Sequence, residues 1–241
     1  DEIYIDIALG YATKSDPAEP LDKVVRLAEE LMYRRKLLEQ RSPLNDYLNY
    51  IKTTMFEKSY ETEEHAERLV RLSKMLGEQL GLSENELDEL ELVAVLHDIG
   101  KISVDKDILT KTDRLSEEDW REIKKHPEVG YRIANSTFGL THIAEYILCH
   151  HERWDGSGYP LGLSGTKIPL ISRIISVVDS YDAMTQDRGY RKALPAGEAV
   201  KEILKNKGTQ FDPQIADIFV NRVLPEAERS EERRVGKECR T

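Results

Sequence analysis

Two cysteines in 241 residues leave thiol chemistry little material. Cys149 and Cys239 form no spaced framework, which argues against structural disulfides and thiolate zinc and suits a reducing compartment; Cys149 reads as a small core residue. No run of about 18 apolar residues occurs, and no signal-like segment opens the chain, so neither a membrane span nor export is expected and the cytoplasm is the expected location. Basic charge is also scarce. A formal net charge of -10 speaks against a broad DNA or RNA surface, which needs clustered Lys and Arg to displace counterions. Small anionic ligands stay open, because a metal or a few arginines can supply a local positive field inside an acidic protein.

The remaining composition, 39% apolar and 33% charged, fits a globular chain of one or two domains, long enough to bury a core. Strand periodicity is confined to the opening, where Ile3, Ile5 and Ile7 alternate with Tyr4 and Asp6. A turn-rich KSDPAEP follows, and Leu21, Val24, Val25, Ala28, Leu31 and Met32 then recur at helical spacing. One strand and one helix cannot close a core, so residues 1–41 read as the end of a larger domain. Residues 42–59 read as a connector that becomes helical around YLNYIKTTMF.

From Glu61 the pattern is helical: Ala66, Leu69, Val70, Leu72, Met75, Leu76 and Leu80 form one apolar stripe stopped by Gly81. Ser83 and Glu86 carry a capping-box signature for the next helix, and later helices are expected to start near Ser116, Pro127, Thr141, Pro169, Pro195 and Pro213. The tail, 225–241, has only Ala227, Val235 and Cys239 as apolar residues and is expected to be disordered or loosely helical; its last dozen residues look like a read-through scar. The expected fold class is mainly α, a helical bundle preceded by a short strand-helix fragment.

The apolar run LELVAVL ends not in solvent-facing residues but in HDIGK, residues 97–101. A buried ionisable group is costly unless it is paired or bound to a metal, so His97 and Asp98 call for partners. Candidates recur along the chain. Glu61 and His65 stand four apart on an expected helix, His126 precedes Pro127 at a helix start, His150 and His151 end another helix, and Asp179 interrupts the apolar helix ISRIISVVDSYDAM. A helical bundle builds a metal site from such facing helices. Imidazole and carboxylate without thiolate suit iron, manganese or zinc in an open hydrolytic site. Glu61, His65, His97, Asp98, His126, His150, His151 and Asp179 are too many ligands for one ion, so two or three divalent ions are implied. Asp98 could bridge two ions about 3.5 to 4 Å apart, which could hold a hydroxide nucleophile for phosphodiester hydrolysis. The sixth histidine, His142, belongs to no pattern and reads as structural.

HDIGK, KHPEVG and CHHERWDGSGYP resemble the diagnostic motifs of the HD-GYP family, bacterial cyclic-di-GMP phosphodiesterases within the HD superfamily; the similarity runs from about Tyr60 to Leu224, residues 60–224. The resemblance implies an all-helical HD-type bundle, a centre of two or three metal ions, most often iron or manganese, and hydrolysis of cyclic-di-GMP to pGpG and on to GMP in some members. It carries metal-ligand roles to His65, His97, Asp98, His126, His150, His151 and Asp179, a third-metal carboxylate to Glu61, and a contact with phosphate or metal-bound hydroxide to Lys101. In the GYP turn, Gly156, Gly158 and Pro160 allow a sharp fold, and Tyr159 is placed either beside a guanine or phosphate or as core. DAMTQDRGYRKAL resembles the family's ligand-binding segment, with Arg188 and Arg191 for phosphates, while Asp182 is given a supporting or guanine-contacting role. Upstream, ALGYA and AEELMYRRK resemble the C-terminal strand and helix of a GGDEF domain, so GGDEF or sensor domains are expected partners besides cyclic-di-GMP. A homodimer stays open. So do two rival readings: a related phosphohydrolase for another cyclic dinucleotide or a mononucleotide, and a cyclic-di-GMP sensor without turnover.

Overall fold

The computed structural model describes residues 9–38, 43–59, 62–137, 139–187 and 192–230. Two helices open it, α1 (Leu21–Leu38) and α2 (Pro43–Ser59). The expected stripe then forms α3 (Glu63–Gln79), with Ala66, Leu69, Leu72 and Leu76 buried. Thr62 caps its start, accepting a hydrogen bond from His65 N at 3.1 Å. At its end Leu82 N donates to Gly77 O and Gly81 N to Glu78 O, each at 3.0 Å, the paired bonds of a Schellman close. Ser83 then starts α4 (Glu84–Leu96) with the expected capping box: Ser83 N donates to Glu86 Oε2 at 2.8 Å, and Glu86 N donates to Ser83 Oγ.

After α4 the chain tightens into a 3-10 turn (Ile99–Ser103), followed by α5 (Lys106–Leu109), α6 (Glu117–Ile123), α7 (His126–Ser136), α8 (Ala144–Cys149), α9 (Leu170–Thr185), α10 (Ala196–Lys205) and α11 (Pro213–Ile218). Of the expected starts, Ser116, Pro169 and Pro195 are N-caps, Pro213 opens α11, Pro127 is the second residue of α7, and Thr141 opens a 3-10 turn (Thr141–Ile143) that leads into α8. Helix α9 is the central rod. Its Ile171, Ile174, Ile175, Val177 and Val178 are buried, and it packs on α3, α4, α8, α10 and α11. Among the described residues there is no strand, only a bridge between Lys207 and Phe211. The expected strand at Ile3, Ile5 and Ile7 lies outside the described residues. Among those described, no helix is long and apolar enough to cross a membrane.

Two expected boundaries move. Met55 of α2 is 2% exposed and belongs to the core, and α2 packs on the 3-10 turn, so the connector is in part domain. At the other end a π turn (Phe219–Val223) runs into a helix over 224–230 that buries Leu224 and Ala227. Residues 225–230 are therefore helical, one of the two states expected of the tail. One small apolar residue is enough once Phe219 and Val223 have already anchored the helix to the core; residues 231–241 lie outside the described residues.

The 3-10 turn after α4 lies directly on α7, and the contact is backbone on backbone. A Cβ on Gly100 would stand 1.9 Å from His126 O and 2.6 Å from Gly130 N, while one on Gly130 would meet Ile147 at 2.8 Å. The motif HDIGK needs its glycine because any side chain would wedge its His-Asp pair away from the start of α7. Gly100→Ala is accordingly expected to cost about 3 kcal/mol, a fall of the unfolding midpoint on the order of 10 °C, followed by circular dichroism. Gly197→Ala is the control: nothing lies within 4 Å of its would-be Cβ on α10, so alanine there should stabilise by about 0.5 to 1 kcal/mol.

Candidate metal centre

Helix ends meet around Asp98. His97 caps α4 and Asp98 begins the 3-10 turn, so the two side chains leave the core at the point where the helix unwinds. His126 starts α7, and His150 caps α8 with His151 next to it. Asp98 Oδ1 lies 3.1 Å from His126 Nε2 and 3.8 Å from His150 Nε2, while Oδ2 lies 3.2 Å from His97 Nε2 and 2.6 Å from Lys101 Nζ. The carboxylate is 4% exposed. Its two oxygens face different neighbours, and the donors fall into two groups around it. Asp98, His126, His150 and His151 can each offer an atom within 4.8 Å of the others, and so can His65, His97 and Asp179.

The hydrogen bonds behind the rings fix which nitrogens point inward. His97 Nδ1 donates to Ala94 O at 3.1 Å, His126 Nδ1 to Ile123 O at 2.7 Å and His150 Nδ1 to Ile147 O at 2.6 Å. A carbonyl only accepts, so Nδ1 carries the proton and Nε2 of a neutral ring presents a lone pair. His126 Nε2 and His150 Nε2 are 3.2 Å apart, so in the neutral rings two lone pairs face each other. A divalent cation resolves that clash. Two nitrogens bound to one ion at about 2.1 Å stand roughly 3.0 to 3.4 Å apart in octahedral to tetrahedral geometry, which matches this spacing. The donor set fits a metal.

Electrostatics agree with such a site. Burial would raise the Asp98 carboxyl, but the Lys101 ammonium first, with His97, His126 and His150 gathered around the group, outweighs it and holds the carboxyl well below the usual carboxylate range. Burial lowers His150, and burial together with His150 and His126 holds His151 well below an ordinary imidazole, so both favour the neutral form that a metal needs.

The second group is braced from behind. His65 Nδ1 lies 2.7 Å from Asp182 Oδ2, and His65 Nε2 lies 3.7 Å from Asp179 Oδ1. Asp182 is 2% exposed and takes a two-pronged contact from Arg68, Nε to Oδ1 at 2.6 Å and Nη2 to Oδ2 at 3.0 Å. Both Asp182 oxygens are thus engaged by protein groups, which favours the supporting role over a guanine contact.

The GYP loop closes the other side. The Tyr159 ring packs on His151 with centroids 5.0 Å apart and planes 31° from parallel, and Lys124 Nζ lies 5.2 Å from the ring centroid. Burial first, and Asp98 next, push the Tyr159 hydroxyl well above its ordinary value, so it remains a proton donor. Gly158 is required here, because a Cβ would stand 2.3 Å from Arg153 N. Glu152, 2% exposed, accepts hydrogen bonds from Leu161 N, Gly162 N and Leu163 N at 2.6 to 3.1 Å and ties down the far side of the loop.

Of the residues singled out from sequence, the fold brings together His65, His97, Asp98, Lys101, His126, His150, His151, Tyr159, Asp179 and Asp182. Glu61, Arg188 and Arg191 lie outside the described residues. His142 belongs to neither donor group. Sequence reasoning missed Arg68, Lys124 and Glu152. Arg68 had a signal, standing three residues after His65; Glu152 directly follows the histidine pair; nothing local marks Lys124.

Comparison with known proteins places this geometry. The family profile described as HD domain matches residues 51–215. The chain is 40% identical over 165 residues to the cyclic di-GMP phosphodiesterase of Thermotoga maritima, covering 68% of this chain and 45% of that protein. It is 31% identical over 230 residues to 3'3'-cGAMP-specific phosphodiesterase 2 of Vibrio cholerae, covering 91% of this chain and 44% of that protein. The chain spans less than half the length of either relative. Among solved structures, Bd1817 of Bdellovibrio bacteriovorus, described as a HDG"Y"P protein, shares the fold with a TM-score of 0.57 at 20% identity, over 88% of this chain and 75% of that one. The profile spans every donor described above, the resemblance to HD-GYP proteins read from the motifs stands, and the chain belongs to the HD domain family.

Proposed function

We propose that the chain is a metal-dependent phosphodiesterase that opens cyclic-di-GMP to pGpG, with GMP a further product where the linear dinucleotide is cut again. One observation carries this reading: a single buried carboxylate, Asp98, turns one oxygen to each of two imidazole-rich donor groups. The name of the Thermotoga maritima relative supports the choice of substrate. Iron or manganese suits the thiolate-free donor set, with two ions held by the two groups and a third if Glu61 joins them.

When bound, a pair of divalent cations neutralises the scissile phosphate and makes water a competent nucleophile near neutral pH. The chain's own residues set the rest. Asp98 fixes the spacing between the groups, and the backbone carbonyls behind His97, His126 and His150 hold their rings in one tautomer. Lys101, half-buried, brings a full positive charge to the same carboxylate and can donate from Nζ to a phosphate oxygen. As water adds to phosphorus and the bond to the 3' oxygen breaks, that oxygen must take up a proton. Tyr159 offers a protonated hydroxyl and an aromatic face at the rim, and Arg188 and Arg191 are proposed for the second phosphate.

A second reading has its own support: the similarity to the 3'3'-cGAMP-specific relative extends over 91% of this chain. The metal centre would be common to both, and the choice of base would rest with groups at the rim such as Tyr159. Assayed with Mn2+ on both cyclic dinucleotides, the protein is expected to favour cyclic-di-GMP in kcat/KM by about tenfold or more. The reverse preference would replace the first reading with the second, and no product from either would remove both.

Asp98→Ala is expected to abolish hydrolysis and to lower bound metal, measured by elemental analysis of anaerobically purified protein; full activity at normal metal content would end the shared-carboxylate reading. Arg188→Ala should weaken cyclic-di-GMP binding by roughly ten- to hundredfold, the worth of one charge-assisted contact, with metal content unchanged. Its hydrolysis of bis(p-nitrophenyl) phosphate should be nearly preserved, because that small diester needs no second phosphate contact.

A further inference from the structure

Two helices present matching pairs to each other. On α3, His65 and Arg68 stand three residues apart on one face; on α9, Asp179 and Asp182 do the same. Where α3 packs on α9, the pairs mesh in two layers. The inner layer is His65 and Asp179, both in the second donor group. The outer layer is Arg68 and Asp182, joined by two bonds of 2.6 and 3.0 Å, with Asp182 Oδ2 shared between Arg68 Nη2 and His65 Nδ1. We propose that Arg68 is a positioning residue for the His65, His97 and Asp179 donor group, acting through Asp182 to aim His65 Nε2 into the centre.

The physical argument rests on the number of contacts. A carboxylate held at one oxygen can still turn about its Cβ–Cγ bond. One gripped at both oxygens by the planar guanidinium has its plane fixed, and the direction in which it receives the His65 Nδ1 proton is fixed with it. A metal-binding histidine depends on the partner of its other nitrogen for ring orientation, and loss of that partner typically costs about 10- to 100-fold in metal affinity. Arg68 stands one step further back. It is 30% exposed at the side chain, beside a carboxylate exposed by 3%, so its grip reaches from the protein surface to the buried group. The other donor group takes its bracing from backbone carbonyls of Ile123 and Ile147 and does not depend on Arg68.

The inference rests on the reading that His65 holds a metal ion, and the test separates the two. Mn2+ is titrated into metal-free protein by calorimetry, with elemental analysis of the product, for wild type, His65→Ala, Arg68→Met, Asp182→Asn and the Arg68→Met/Asp182→Asn double variant. His65→Ala should remove one Mn2+ binding step; if it removes none, the metal reading of this group fails and takes the inference with it. If that step is lost in His65→Ala, Arg68→Met should weaken the same step by about 10- to 100-fold and leave the other unchanged. The double variant should be no weaker than the weaker single variant, because both substitutions break one linkage. Unchanged affinity in Arg68→Met, equal weakening of both steps, or additive effects in the double variant would each overturn the proposal. Should Arg68→Met fail to fold, Arg68→Lys keeps the charge but cannot grip both oxygens, and is expected to weaken the one step by a smaller factor; full affinity there would overturn the proposal equally.

Discussion

A carboxylate buried to 4% exposure has to be compensated wherever it sits, and Asp98 imposes that demand on the middle of the fold. The chain answers with one full cation, Lys101, placed three residues later on the same turn, and with imidazoles delivered by three separate helix ends. Those ends can converge only if the turn after α4 lies against the start of α7 with no side chain between them. Gly100 and Gly130 are the residues that permit it. The packing of α7 on the 3-10 turn, and of α8 on α7, then follows from bringing charge compensation to one oxygen pair.

Around this centre the support is of two kinds. Backbone carbonyls three residues back hold His97, His126 and His150, from the same helix for His97 and His150 and from the end of α6 for His126. His65 instead relies on the side chains Asp182 and Arg68. The loop with Tyr159 is held by a third device, a buried Glu152 that collects three successive backbone N–H groups, and by backbone bonds from Trp154 and Asp155 to the segment before α11. Arg173 braces that segment, donating to Ile168 O at 2.9 Å and Asp212 Oδ2 at 2.6 Å. A local charge-dipole contact thus stands in for regular structure where the chain has none.

Much of this was legible before any coordinates. The α3 stripe, the Ser83 capping box and the helix starts marked by Ser116, Pro169, Pro195 and Pro213 depend on neighbours within four residues, which a sequence displays directly. The donor residues were legible because histidine and carboxylate at the ends of apolar helices have no cheap structural explanation. What escaped was set by distant contacts. Arg68 and Asp182 are 114 residues apart, Arg173 and Asp212 are 39 apart, and neither pairing leaves a local trace. The burial of Met55 and Ala227 escaped for a related reason: a connector and a charged tail look solvated until the surface they lie against is known.

Cys149 precedes the first of the paired histidines and is 1% exposed. Burial, reinforced by Glu152 and Glu145, pushes its thiol up to about 12. At neutral pH the group is held as the thiol, whereas the thiolate is the form that attacks oxidants. The centre therefore keeps its oxygen-and-nitrogen character with a sulfur atom next door in the chain.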